Sequence, residues 1–130
     1  MKVDGGLMGR LEGATSSAKR LEKIGYHGAI TAETSHDPFF PLLLAAQETE
    51  KIELVTSIAV AFSRTPMNLA NIGHDLQSFS KGRFILGLGS QIRPHITKRF
   101  SMPWSKPAAR MREYIMAMRA IWDCWHNGAP

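Results

Sequence analysis

The run Ile52-Glu53-Leu54-Val55-Thr56-Ser57-Ile58-Ala59-Val60-Ala61-Phe62 narrows the fold more than any other stretch. From Leu54 to Val60 it is almost continuously apolar or β-branched, without the alternation of a strand that has one wet face. That pattern belongs to a strand buried on both faces, and such strands sit in parallel sheets covered by helices. Parallel neighbours need a long crossover, usually a helix, and the flanking sequence supplies helices. Residues 2–7 read as a weak first strand, 29–33 as a second, 52–62 as the third and 83–89 as a fourth.

The intervening segments carry helical spacing. Ala14, Ala18, Leu21 and Ile24 fall four, three and three residues apart. Asp37-Pro38 is a helix start, with Asp37 able to accept first-turn N–H groups and Pro38 suited to the first helical position. The helix over 39–49 then carries Leu42, Leu43, Ala45 and Ala46. Thr65-Pro66 opens a third helix with a stripe of Leu69, Ile72, Leu76 and Phe79, ended by Lys81-Gly82. A loop over 90–106 leads to Pro107 and a last helix. Its expected buried stripe is Met111, Tyr114, Ile115, Met118, Ile121, Trp122 and Trp125, and Asn127-Gly128 stops it.

The order is β-α-β-α-β-α-β-α, an α/β class in one domain of 130 residues. Two closures satisfy it: an open doubly wound sheet, or the parallel (β/α)4 half of a TIM (β/α)8 barrel, whose full form needs ~250 residues. Periodicity does not choose between them. The ending at Ala129-Pro130, directly after the fourth helix, fits a half barrel cut at a unit boundary. No run approaches the ~20 apolar residues of a membrane span, and the first residues lack the apolar core of a secretory signal. Cys124 is the only cysteine, which excludes an intrachain disulfide and a cysteine zinc cluster. A cytoplasmic setting is the default expectation.

The formal charge is +5, and the stretch 91–112 holds Arg93, Lys98, Arg99, Lys106, Arg110 and Arg112 with no Asp or Glu. No helix-turn-helix, zinc-finger or aromatic RNA-binding signature accompanies it, so nucleic acid is not the expected partner. A solvated basic face and an anionic small molecule both fit.

In parallel α/β folds the ligand lies at the C-terminal strand ends. The second strand ends in Glu33-Thr34-Ser35-His36-Asp37, the third near 57–64, and the fourth in Gly87-Leu88-Gly89-Ser90-Gln91. The first offers mainly Gly5, Gly6 and Met8. Imidazole titrates near ~6.5, so His36 is a candidate for proton transfer, against a simple loop hydrogen bonder. Glu33 is a base or a hydroxyl acceptor, against a structural cap. Gly87-x-Gly89 lacks the third glycine of a dinucleotide fingerprint; it lets either a strand bend or a planar ligand approach the backbone. Ser57 reads as a core hydroxyl or a ligand contact. His95 is a candidate phosphate contact, and Trp104 covers a ring or packs its own loop. His74 and His126 read as structural, and Cys124 as a small core residue. No metal-ligand spacing occurs, and no Gly-x-Ser-x-Gly elbow.

The string Ser80-Lys81-Gly82-Arg83-Phe84-Ile85-Leu86-Gly87-Leu88-Gly89, with Arg64-Thr65-Pro66 before it and Arg112-Glu113-Tyr114 to Trp122 after it, resembles the luciferase-like monooxygenase superfamily. The resemblance spans nearly the whole chain and implies the N-terminal half of a (β/α)8 barrel. It implies an oxidoreductase using the deazaflavin coenzyme F-420, with FMN as the alternative cofactor, acting on a small organic substrate by hydride transfer or oxygen insertion. By position it implies a non-proline cis peptide at Ser57-Ile58, behind the ring. It assigns His36 and Glu33 to catalysis, and Ser57, Ile58, Gly87, Gly89, Ser90 and Gln91 to cofactor contact. Two open sheet edges imply a second copy or a separate C-terminal half as partner. The alternative is a half barrel that acts only after such association, or not at all.

Overall fold

A computed structural model describes residues 1–7 and 10–128. Met8, expected at the first strand's tip, lies outside the described residues, as do Ala129 and Pro130. The chain forms two compact units, Met1–Ala59 with Asp75–Leu88, and Val60–His74 with Gly89–Pro130.

The first unit carries the parallel sheet. Strands β1 (Asp4–Gly6), β2 (Gly28–Thr31), β3 (Glu53–Thr56) and β5 (Phe84–Ile85) are hydrogen-bonded in that order, all parallel. Leu54 pairs with Ala29 on one side and Phe84 on the other. Two shorter strands, β4 (Ala59–Val60) and β6 (Leu88–Gly89), pair with each other. The helices are α1 (Ala14–Ile24), α2 (Phe40–Glu48), α3 (Pro66–Phe79) and α4 (Pro107–Asn127).

The parallel order is the one read from sequence, but the third strand is not one run of 52–62. It stops at Thr56, resumes at Ala59 and turns into a short 3-10 helix at Ala61–Ser63. The fourth is broken likewise between Ile85 and Leu88. The cause is a side chain: the Thr56 hydroxyl takes the place of a ladder partner, donating to the Gly87 carbonyl and accepting the Gly87 N–H, both at 2.9 Å. Helix α2 starts at Phe40, with Pro41 in its first turn, while Pro38 is buried ahead of it. The cap chemistry of Asp37 is present: its Oδ1 accepts the N–H groups of Phe39 and Phe40 at 2.7 and 3.2 Å. Three stripes run longer in sequence than in the fold, because Ile24, Leu43 and Phe79 are exposed.

Arg83 holds the opposite end of this sheet. Its guanidinium donates to the carbonyls of Ala46, Thr49 and Ile52 at 3.0 Å each, to the Thr49 hydroxyl at 2.9 Å, and to the Ser80 carbonyl at 2.8 Å. The last carbonyls of a helix have no partner within it, and those near the end of α2 meet this fork. Thr49 completes the cap by donating to the Ala45 carbonyl at 2.6 Å. The Ser80-Lys81-Gly82-Arg83 string therefore ends α3 and starts β5. Lys81 and Gly82 take left-handed φ of 56° and 85°, and the Gly82 N–H returns to the Gln77 carbonyl at 2.9 Å.

Glu22, on α1, gathers the N–H groups of Glu50, Lys51 and Ile52 at 2.8 to 3.1 Å. Burial alone would raise its carboxyl, but these three donors and the positive charge of Arg83 hold it below its ordinary value.

The second unit packs around Phe62, which is fully buried. Trp104 meets its ring edge-on at 6.1 Å, Tyr114 lies at 6.3 Å, and the Arg110 guanidinium stands 4.3 Å above it. The Tyr114 hydroxyl donates to the Arg64 carbonyl, and the Trp122 indole N–H to the Ala70 carbonyl, both at 3.0 Å. Of the expected α4 stripe, Tyr114 and Met118 are buried, Met111, Ile121 and Trp122 are half-buried, and Ile115 and Trp125 are exposed. Cys124 is half-buried. The loop over 90–106 contains a five-residue π-helical turn, His95–Arg99, with Ile96 buried.

Two outcomes follow. Arg83→Ala strips four carbonyls of a charged donor and is expected to lower stability by about 3 kcal/mol, with Arg83→Lys recovering only part. Urea unfolding followed by circular dichroism checks it, and an unchanged midpoint would refute the role. Because the folded Glu22 carboxyl is depressed, its contribution is complete above the ordinary glutamate range and is lost as pH falls through the folded value. Glu22→Gln is expected to remove that part of the acid dependence, seen as a smaller difference between unfolding midpoints at pH 7 and pH 3.

Candidate functional site

Three strand ends of the first unit are tied to one another through main chain. The Ser57 N–H donates to the Thr31 carbonyl at 2.6 Å, joining the ends of β3 and β2. The Glu33 N–H donates to the Ile58 carbonyl at 3.2 Å, one step further along the same seam. The Ala59 N–H donates to the Gly87 carbonyl at 2.9 Å, joining β4 to the continuation of β5. The peptide bond between Ser57 and Ile58 is cis.

Gly87 has no alternative residue at this seam. A Cβ there would stand 2.1 Å from the Thr56 carbonyl oxygen, a backbone atom that cannot swing aside. The close approach implied by Gly87-x-Gly89 is thus first an approach of the chain to itself. Ser57 is exposed, so its hydroxyl is not the core group that one reading made it. Thr56 is the buried hydroxyl of that run.

The segment 33–37 leaves the end of β2 and returns at α2. It is closed at its base by the buried Thr31 hydroxyl, which donates to the Pro38 carbonyl at 2.8 Å. Glu33 is half-buried on it and His36 is exposed, with the His36 N–H 3.4 Å from the Thr34 hydroxyl. Glu33, Ser57, Ile58 and Gly87 are thereby joined along one seam, and His36 projects from the excursion that begins with Glu33.

The other expected contacts belong to the second unit. Gly89 ends β6. The Ser90 hydroxyl donates to the Gln91 carbonyl at 3.3 Å. Gln91 adopts a left-handed φ of 57°, and its Oε1 lies 3.2 Å from the Nδ1 of His95. His95 thus has a neutral neighbour. In the same unit Trp104 packs on Phe62, the loop-packing alternative named for it. The buried Tyr114 hydroxyl is pushed above its ordinary range by burial, against the opposing charges of Arg64 and Arg110.

A carboxylate accepts from ring N–H or sugar-like hydroxyl groups, and a serine hydroxyl donates or accepts. The first unit places one of each, Glu33 and Ser57, along this seam. Thr56, which shapes the site, carried little sequence signal, since it shows only as one of two hydroxyls in an apolar run. Among the described residues no group of three or more His, Cys, Asp or Glu side chains could hold a metal ion. Among them, too, no helix is long and apolar enough to cross a membrane.

Comparison with known proteins places this geometry. An uncharacterised protein of Mycobacterium tuberculosis is 60% identical over 128 residues, which is 98% of this chain and 38% of that protein. The chain therefore spans about two fifths of the length of this relative. The oxygenating constituent of 3,6-diketocamphane monooxygenase from Pseudomonas putida, solved with FMN, superimposes with a TM-score of 0.80 at 19% identity, over 95% of this chain and 40% of that one. The coenzyme F-420 dependent tetrahydromethanopterin reductase of Methanopyrus kandleri superimposes with a TM-score of 0.73 at 22% identity, over 88% and 37%. These two likenesses carry the fold, the parallel (β/α)4 half of an eight-stranded barrel. The model of the luciferase-like monooxygenase family matches residues 2–129, and on that match the chain belongs to the luciferase-like monooxygenase family, which has both flavin and coenzyme F-420 relatives.

Proposed function

We propose that this chain supplies the ring-holding strand ends of an oxidoreductase that uses coenzyme F-420, with FMN as the alternative, and acts on a small organic substrate. The observation that supports it is the seam joining Glu33, Ser57, Ile58 and Gly87 by main-chain hydrogen bonds. Such a seam meets the first demand of redox catalysis on a planar cofactor, a wall that does not rearrange when the ring arrives.

In this reading the Ser57-Ile58 peptide and Gly87 form the wall. The Ser57 hydroxyl and the Glu33 carboxylate hold the polar edge of the ring or the hydroxyls of its side chain. Gly89, Ser90 and Gln91 carry over as cofactor contacts from the family resemblance alone. The bound group supplies a ring carbon or nitrogen that takes up or delivers hydride. His36, exposed beside that edge of the chain, holds the proton that a substrate oxygen gains or loses. The relatives differ on whether oxygen takes part, and the proposal places hydride transfer first. A single cysteine and no membrane-crossing helix among the described residues are in keeping with a cytoplasmic enzyme.

A second reading rests on the sheet edges. Among the described residues β1 and β5 each have one neighbour, and Ile85 on β5 is 46% exposed. An edge of this kind invites pairing. Here the chain acts only when a second copy or a C-terminal half barrel covers those edges.

The test is titration of the folded protein with oxidised coenzyme F-420 and with FMN, followed by fluorescence, at the oligomeric state defined by sedimentation. Saturable binding of one ring is expected. Glu33→Gln is expected to weaken it about tenfold, the scale of one charge-assisted hydrogen bond. Gly87→Ala is expected to abolish it and to lower the unfolding midpoint. His36→Asn is expected to leave ring binding within about twofold while slowing turnover by about a hundredfold or more. No binding of either ring by a folded multimer would overturn the proposal, and binding confined to the multimer would select the second reading.

A further inference from the structure

The second unit contains a cavity of about 490 Å³ that the strand-end chemistry does not use. Its lining is Trp122, Asp123, Trp125 and His126 from α4, with His74 from α3. Both indoles are held in place. The Trp122 N–H is bonded to the Ala70 carbonyl at 3.0 Å, and Trp125 meets the His74 ring edge-on, 5.3 Å between centroids at 71°. A ring fixed by its own N–H or by a neighbouring ring offers its face to a ligand at little further ordering cost.

The lining carries one formal charge, on Asp123, and Arg119 stands one turn before it on α4. Among the described residues that line it, Asp123 is the one carboxylate and none is lysine or arginine. The cavity also sits at the last turns of α4, which ends at Asn127 before Gly128 at a left-handed φ of 66°. The carbonyl end of a helix carries partial negative charge and favours cations. Indole faces, negative at their centres, do the same. The residues do not group as metal ligands, so a bare divalent ion is not the match. A cation with an apolar shell is, because its methyl groups fill apolar space while its charge is shared among the two rings and the carboxylate.

We infer that the Trp122–Asp123–Trp125 cavity is a binding site for a small organic cation of the alkylammonium class. The assignment stands apart from the cofactor proposal, since the two share no residue and none of the cavity's residues is a strand-end group.

Tetramethylammonium chloride is the probe, titrated into the folded 130-residue protein at pH 8 and constant ionic strength while the indole N–H signals are followed by NMR. Saturable shifts of the Trp122 and Trp125 signals in the millimolar range are expected, with Trp104 unmoved. Neopentyl alcohol, similar in shape and uncharged, is expected to bind at least about fivefold more weakly. Asp123→Asn is expected to weaken the cation about threefold to tenfold, and Trp125→Ala to remove saturation, with Trp125→Phe restoring part of it. Asp123 and Trp125 are exposed, and circular dichroism of each variant verifies that the fold is kept. Equal binding of the uncharged probe, shifts that include Trp104 and never saturate, or unaltered binding by both Asp123→Asn and Trp125→Ala would each overturn the assignment.

Discussion

The reciprocal bond between the Thr56 hydroxyl and the Gly87 peptide is the constraint on which the rest of the first unit depends. A regular parallel ladder would have carried β3 and β5 onward side by side. Instead one side chain satisfies both the N–H and the carbonyl of Gly87, and the carbonyl of Thr56 comes so near that no Cβ fits. The two strands end there and resume after two residues as a displaced pair. The break turns Ser57 outward and lets the Ile58 carbonyl reach the Glu33 N–H. A strand that had simply continued would have kept those groups inside its own sheet.

The stabilising charges lie at the other end of the same strands. Arg83 stands at the start of β5, and its acceptors lie at the end of α2 and just ahead of β3. Glu22 collects the three N–H groups that precede β3. Both ions answer backbone groups that helix and sheet leave unpaired, which is why each makes several bonds rather than one salt bridge. The surface ion pairs Lys2–Glu53 and Lys19–Glu48 are by comparison minor, since exposed pairs contribute ~0–1 kcal/mol.

The fold was legible because its signals are periodic. The continuous apolar run announced a strand covered on both faces, and Thr65-Pro66 and Asp37 announced helix starts that the hydrogen bonds display. What sequence did not reveal is where periodicity stops. Nothing in Leu54-Val55-Thr56-Ser57-Ile58 marks a break, because the break is imposed by a partner 31 residues away. Likewise the Ser80 to Arg83 string carried the family resemblance, yet in the fold it terminates a helix and anchors a strand rather than touching the proposed site. For the candidate site, the strand-end rule located the segments that hold Glu33, Ser57 and Gly87. It did not foresee that Gly89, Ser90 and Gln91 belong to the second unit.

The division of labour between the two ends of the sheet has a physical reason. The strand-end seam is closed by main-chain bonds from Ser57 to Thr31, Glu33 to Ile58 and Ala59 to Gly87, whereas the opposite end is held by the side chains of Glu22 and Arg83. A side-chain substitution at the strand ends leaves those main-chain donors and acceptors in place. Gly87 is the exception, because its missing side chain is what lets the seam close.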